Sequence, residues 1–197
     1  MTTTSATHLL PARKPWTTIL LFGLLLFLVY GLGAFWVERY SGSCMFVLPG
    51  FFYALVTVLA ILKVQRFGVG VAVFLPCALV GLAMEYYMEW VTDRALLSLW
   101  GVLGWGLVYL GFGLAADLAY RLAPARWSER ARAILTGTAI GGAFFFLVLL
   151  ALTTFYDSTP DTGHLWYFQS GAPLSLPWLL VNGAFGGYTA YAIARNA

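Results

Sequence analysis

The sequence predicts an all-α fold, a polytopic membrane bundle of six transmembrane helices with both termini on the cytoplasmic side. Three observations lead there. The chain of 197 residues is 61% hydrophobic and only 10% charged, whereas soluble domains carry about a quarter of their residues as charged ones. Six apolar stretches, at about 16–37, 45–62, 68–91, 97–119, 134–156 and 174–194, approach the roughly 20 residues that cross a hydrocarbon core. Nine basic residues (Arg13, Lys14, Lys63, Arg66, Arg121, Arg126, Arg130, Arg132 and Arg195) fall at one set of helix ends, and two, Arg39 and Arg94, at the other. Cytoplasmic connections concentrate Lys and Arg, which puts the tail 1–15 and the C-terminus inside. The chain then reads as a single transmembrane domain, 1–197, of the cytoplasmic (plasma or inner) membrane, with membrane lipid as its surroundings. Its formal charge of +3 belongs to membrane loops rather than to a surface for nucleic acid.

The first stretch follows Arg13 and Lys14 as a signal peptide would, but its apolar run exceeds the roughly 7–15 residues of a signal core, so it is read as a retained helix. The second opens near Cys44, and Cys77 lies in the middle of the third. That difference in depth is too large for a disulfide, so both are read as small apolar residues. Pro76 is expected to bend the third helix. The fourth is rich in glycine, with Gly101, Gly104, Gly106, Gly111 and Gly113. Gly137 and Gly141 form a GxxxG pair in the fifth, and Gly183 and Gly187 another in the sixth, beside a second stripe of Gly186, Ala190 and Ala194. Helices in lipid associate through such close backbone approach; these stripes either pack the monomer or dock a partner subunit. The one long outer connection, 157–173, begins with turn formers and continues into aromatics, and is read as an interfacial segment or a lid.

Several chemistries are excluded by residue type. The only histidines, His8 and His164, lie outside the spans, which removes histidine-ligated haem, copper and zinc within the bilayer. There is no HExxH and no Walker motif. No cofactor is therefore expected. What remains is the outer end of the third helix, with Glu85, Tyr86, Tyr87, Met88, Glu89 and Trp90 in succession. Glu85 and Glu89 share a helix face with Gly81 and Ala78, which turns that face toward other helices. Glu85 sits about six residues inside the boundary, roughly 9 Å deep. An acid there must face protein or water and is a functional candidate by default; the plainer alternative is a packing role with a tyrosine or backbone partner. Asn182, in the sixth helix at similar depth, needs partners as well, from a ligand or a neighbouring helix. Asp117 has Arg121 one turn on, and an i,i+4 ion pair accounts for it. Trp36, Trp90, Trp100, Trp105, Trp166 and Trp178 occupy the outer half, against Trp16 and Trp127 inside. An outer cavity lined by Glu85, Tyr86, Glu89, Trp90, Trp105, Trp166 and Asn182 would suit a flat or cationic small molecule.

The basic turn KVQRFG, the late acid Glu85, the segment GVLGWGLVYLGFG and the closing NGAFGGYTAYAIA give a layout, from about Cys44 onward, that resembles the substrate-binding S components of energy-coupling factor vitamin transporters. The resemblance implies capture of a small molecule from outside and dependence on a coupling protein and ATPases as partner subunits. Two other functions stay open from the residues alone. One is a structural or assembly subunit, with its glycine stripes on partners. The other, ranked third, is a membrane enzyme acting on a lipid or isoprenoid, with Glu85 and Glu89 as acid and base.

Overall fold

A computed structural model describes residues 14–40, 47–79, 99–155 and 163–196. All the regular structure among them is helical: α1 (Pro15–Tyr40), α2 (Val47–Val64), α3 (Val69–Leu79), α4 (Leu99–Leu122), α5 (Glu129–Phe155) and α6 (Gly163–Asn196). Within α5, Glu129–Ala151 is long and apolar enough to cross a membrane; Pro15–Val29, Gly50–Val64 and Val69–Leu79 are shorter apolar helices.

Each boundary has a local cause. α2 closes with the Gln65 N–H donating to the Ile61 carbonyl, and Gln65 itself turns left-handed at φ 55°, as residues ending a helix commonly do. Gly68 is left-handed too, at φ 87°, a conformation that costs glycine nothing. These two residues reverse the chain from α2 into α3. α4 stops ahead of Pro124, whose carbonyl accepts from the Trp127 N–H to form a turn. Ser128 then caps α5, its Oγ accepting from the Ala131 N–H at 3.2 Å. That cap starts α5 at Glu129, five residues before the apolar stretch, since charged residues are welcome in a solvated first turn.

One expectation changes. The segment 157–173 is not a loop throughout, because α6 begins at Gly163. Its turn formers end there, and the run from His164 to Ser170 holds neither glycine nor proline to stop a helix. The helix also continues through Pro173 and Pro177. α3 is helical on both sides of Pro76, as far as Leu79. The remainder of the expected third span lies outside the described residues.

α2 is the central element, touching α1, α4, α5 and α6. From Tyr53 to Val64 only Leu55, Leu59 and Lys63 escape full burial, which explains a helix apolar on every side. Its ring Tyr53 packs edge-on to Phe74 of α3, with centroids 5.4 Å apart, and against Phe144 of α5 and Phe112 of α4. Phe112 in turn meets Phe74, Tyr109 and Phe144. Four helices thus share one aromatic cluster in the middle of the bundle. Backbone contacts hold the rest. Gly137 and Gly141 of α5 lie directly on the carbonyls of Gly183 and Leu179 of α6, and Gly187 lies on the carbonyl of Ala133. Gly186 of α6 sits against Phe51 and Ala54 of α2. Gly23 of α1 seats the ring of Pro76, and Gly113 of α4 meets Gly70 of α3.

The four GxxxG glycines are therefore occupied by their own chain. Their α-carbon faces are covered by backbone of the opposite helix, so the stripes pack the monomer and leave no surface for a partner at these positions.

Candidate functional site

The expected site residues divide three ways. Glu85, Tyr86, Glu89 and Trp90 lie outside the described residues. Trp105 lies on α4, one turn before Tyr109, and Trp166 lies in the first turn of α6. Asn182 is half-buried on α6 across from Gly50 of α2, and its Nδ2 donates to the Trp178 carbonyl one turn back at 2.9 Å. Its amide thus has a partner on its own helix. Leu79, at the described end of α3, and Leu99, at the start of α4, both lie at the end of the bundle away from the α2–α3 turn.

That turn end is where the described polar chemistry collects. Arg121 of α4 reaches the Gln65 carbonyl, the Arg132 guanidinium stacks 5.0 Å from the Tyr120 ring centroid, and Arg130 lies 4.8 Å from that of Tyr188. These contacts bring the ends of α2, α4 and α6 together with the starts of α3 and α5. Gly23, near the start of α1, meets Val73 and Pro76 near the start of α3, so the N-terminus of α1 shares that end. Trp16 and Trp127 are exposed there.

Asp117 has a role that sequence reasoning missed. It is 2% exposed and its carboxylate caps the start of a different helix. Oδ1 accepts from the Gly70 N–H at 3.1 Å and Oδ2 from the Val71 N–H at 3.2 Å. Both oxygens serve α3; Arg121, the expected partner, adds a Coulombic attraction and also reaches the Gln65 carbonyl. Two features make this possible. Gly113, one turn before Asp117, lets α4 approach the backbone of Gly70. The residues entering α3, Phe67 and Gly68, offer no side-chain oxygen, so the first N–H groups of the helix need an acceptor from elsewhere. That missing cap was the available signal. The sequence matches no protein-family model and no curated protein, and the fold matches no solved structure.

Two further buried atoms stand apart. The Thr57 hydroxyl, one turn along α2 from Tyr53, and the Arg132 Nε have no hydrogen-bond partner among the described residues. Cys77 is a free, buried thiol on α3, and Cys44 lies outside the described residues. Among the described residues no three of His, Cys, Asp and Glu come together. Among the described residues the titratable side chains thus form no catalytic constellation.

Proposed function

We propose that this chain is a six-span bundle of the cytoplasmic membrane, both termini inside, that captures a small aromatic or cationic molecule at its outer end and relies on partner proteins for energy. The observation that carries the reading is the asymmetry along the bundle axis. Ten charged residues (Lys14, Lys63, Arg66, Asp117, Arg121, Arg126, Glu129, Arg130, Arg132 and Arg195) belong to the turn end, against Glu38 and Arg39 at the far end of α1, and the positive-inside rule makes the turn end cytoplasmic. Large apolar side chains are exposed along the flanks, among them Leu20, Leu24 and Leu28 of α1, Leu114 and Leu118 of α4, Phe146 and Leu150 of α5 and Val181 of α6. A soluble bundle would leave a far smaller apolar surface bare; lipid accounts for it.

The mid-bundle cluster of Tyr53, Phe74, Tyr109, Phe112 and Phe144 closes the interior against the cytoplasmic end. A ligand from outside would meet it as a floor. Glu85, six residues after Leu79, supplies the anionic group for a cation, with Tyr86, Glu89, Trp90, Trp105, Trp166 and Asn182 as the surrounding wall. Aromatic walls with acids among them favour a flat cation by stacking and cation–π attraction. The likeness of layout to vitamin-binding S components points the same way.

The test is to purify the chain in mild detergent and identify by mass spectrometry the proteins and small molecules that accompany it. A bound aromatic or cationic compound, lost at least about tenfold on Glu85→Gln, is the expected result. A fixed set of other membrane subunits with no small molecule would overturn it and make the chain an assembly subunit.

A further inference from the structure

A threonine inside a helix can return its hydroxyl to the carbonyl one turn back. Thr18, Thr136, Thr138 and Thr189 all do so, at 3.1, 2.8, 2.9 and 2.9 Å. Thr57 does not. It is fully buried, and its Oγ1 has no hydrogen-bond partner among the described residues. One turn after Tyr53, it shares the α2 face that meets Phe74, Phe112 and Phe144. The α6 side of the same helix is marked by Ala54 and Leu55, on which Gly186 lies. The Thr57 hydroxyl therefore faces the interior shared with α3, α4 and α5, on the cytoplasmic side of the aromatic cluster. There the rings give way to smaller side chains. Ala116 is one turn after Phe112 and Ile140 one turn before Phe144, both fully buried. A further turn brings Tyr120 on α4 and Thr136 on α5. The column ends where the Arg132 guanidinium covers the Tyr120 ring. The Arg132 Nε is likewise buried without a partner among the described residues, so two orphaned polar groups mark the two ends of one column.

We propose that this column is the inner half of a passage through the chain, which fills with water and leads the captured molecule to the cytoplasm when the aromatic cluster parts. The inference rests on the capture reading above and adds the route that the cargo takes. With the cluster closed, Thr57 and Arg132 hold hydrogen-bonding groups that nothing satisfies, and buried groups of that kind are costly. Valine has the shape of threonine without the hydroxyl, so packing alone gives no reason for Thr57. Water or a polar cargo atom in the column satisfies both groups, which favours the open arrangement over the closed one. The Thr57 hydroxyl can accept as well as donate, and it is the first polar group that a nitrogen-containing aromatic ring would meet below the floor. The Arg132–Tyr120 stack is the inner gate.

Ala116→Cys tests for water in the column, and Val58→Cys is its control, equally buried at similar depth but on the α6 side of α2, one turn after Ala54. The full chain in detergent is treated with a permanently cationic, water-soluble methanethiosulfonate, and peptide-resolved mass spectrometry follows each cysteine separately. The expected result is modification of Ala116→Cys at least about tenfold faster than of Val58→Cys. Adding Thr57→Val to the Ala116→Cys chain removes the cost of the closed arrangement, so it should slow that modification about tenfold and raise the midpoint of thermal unfolding. Equal rates for the two cysteines overturn the proposal, and so does a rate at Ala116→Cys that Thr57→Val leaves unchanged. A chain recovered from the aqueous fraction without detergent sinks the membrane reading instead. Fast modification of Ala116→Cys in a chain that co-purifies with no small molecule sinks the capture function and leaves the water-filled column standing.

Discussion

Asp117 shows how one carboxylate can tie the flank of one helix to the start of another. Its two oxygens satisfy two amide groups at the start of α3, where lipid or protein interior would leave them without partners. Leaving buried N–H groups unpaired costs about 1–3 kcal/mol each. Asp117→Ala is accordingly expected to destabilise the bundle by about 2–3 kcal/mol, read as a lower midpoint of thermal unfolding in detergent. Asp117→Asn keeps one acceptor oxygen and falls between. Arg121→Ala separates this account from the i,i+4 ion pair, because Arg121 is exposed and its 3.5 Å contact to Gln65 is long. It should stay within about 0.5 kcal/mol of the parent. Equal losses for Asp117→Ala and Arg121→Ala would restore the ion pair as the explanation.

Helix pairing rests on glycine backbone contact more than on large side chains, and the glycines are not equivalent. At Gly137 a methyl group would strike the Gly183 carbonyl, and at Gly183 the reverse holds. At Gly142 the nearest atom is Cδ2 of Leu180, at 3.4 Å, an ordinary contact. Gly137→Ala should therefore force α5 from α6 at a cost of about 1–3 kcal/mol, while Gly142→Ala should gain up to about 1 kcal/mol from helix propensity. Chemical unfolding of the two variants in detergent gives both values; a similar change in each would show that α5 and α6 are not in backbone contact. The stripes themselves were legible in the sequence because i,i+4 spacing is a local property. Their partner was not, since a glycine face packs a helix of its own chain and one of another chain by the same physics. Asp117 was hidden for a related reason: its acceptor groups serve amides 46 and 47 residues away. The early start of α6 was hidden by Gly171, Pro173 and Pro177, which weigh against a helix locally and are overridden within a longer one.

For the molecule as a whole, function depends on which way the charged end faces. In the six-span arrangement proposed above, the termini and two short turns share one end, and those turns hold arginines and lysines that resist translocation. Reversing the chain would carry Lys63, Arg66, Arg121, Arg126, Arg130 and Arg132 across the bilayer, at a cost set by charges that have no compensating acid beyond Glu129 and the buried Asp117. A single cysteine at Ala125, an exposed position in the α4–α5 turn, reports the outcome once Cys44 and Cys77 are replaced by serine and alanine. A membrane-impermeant maleimide should leave it unlabelled in intact cells and label it fully after permeabilisation. The same residue pattern predicts the opposite for a cysteine at Ser158, in the sequence between α5 and α6 that the six-span proposal puts outside, which should react in intact cells. Labelling of Ala125→Cys from outside would invert the bundle, place the basic rim on the outer face, and remove the basis for capture at the end that carries Glu85. Protection of both positions would instead mean that the connection after α5 does not reach the outer surface, leaving fewer than six crossings.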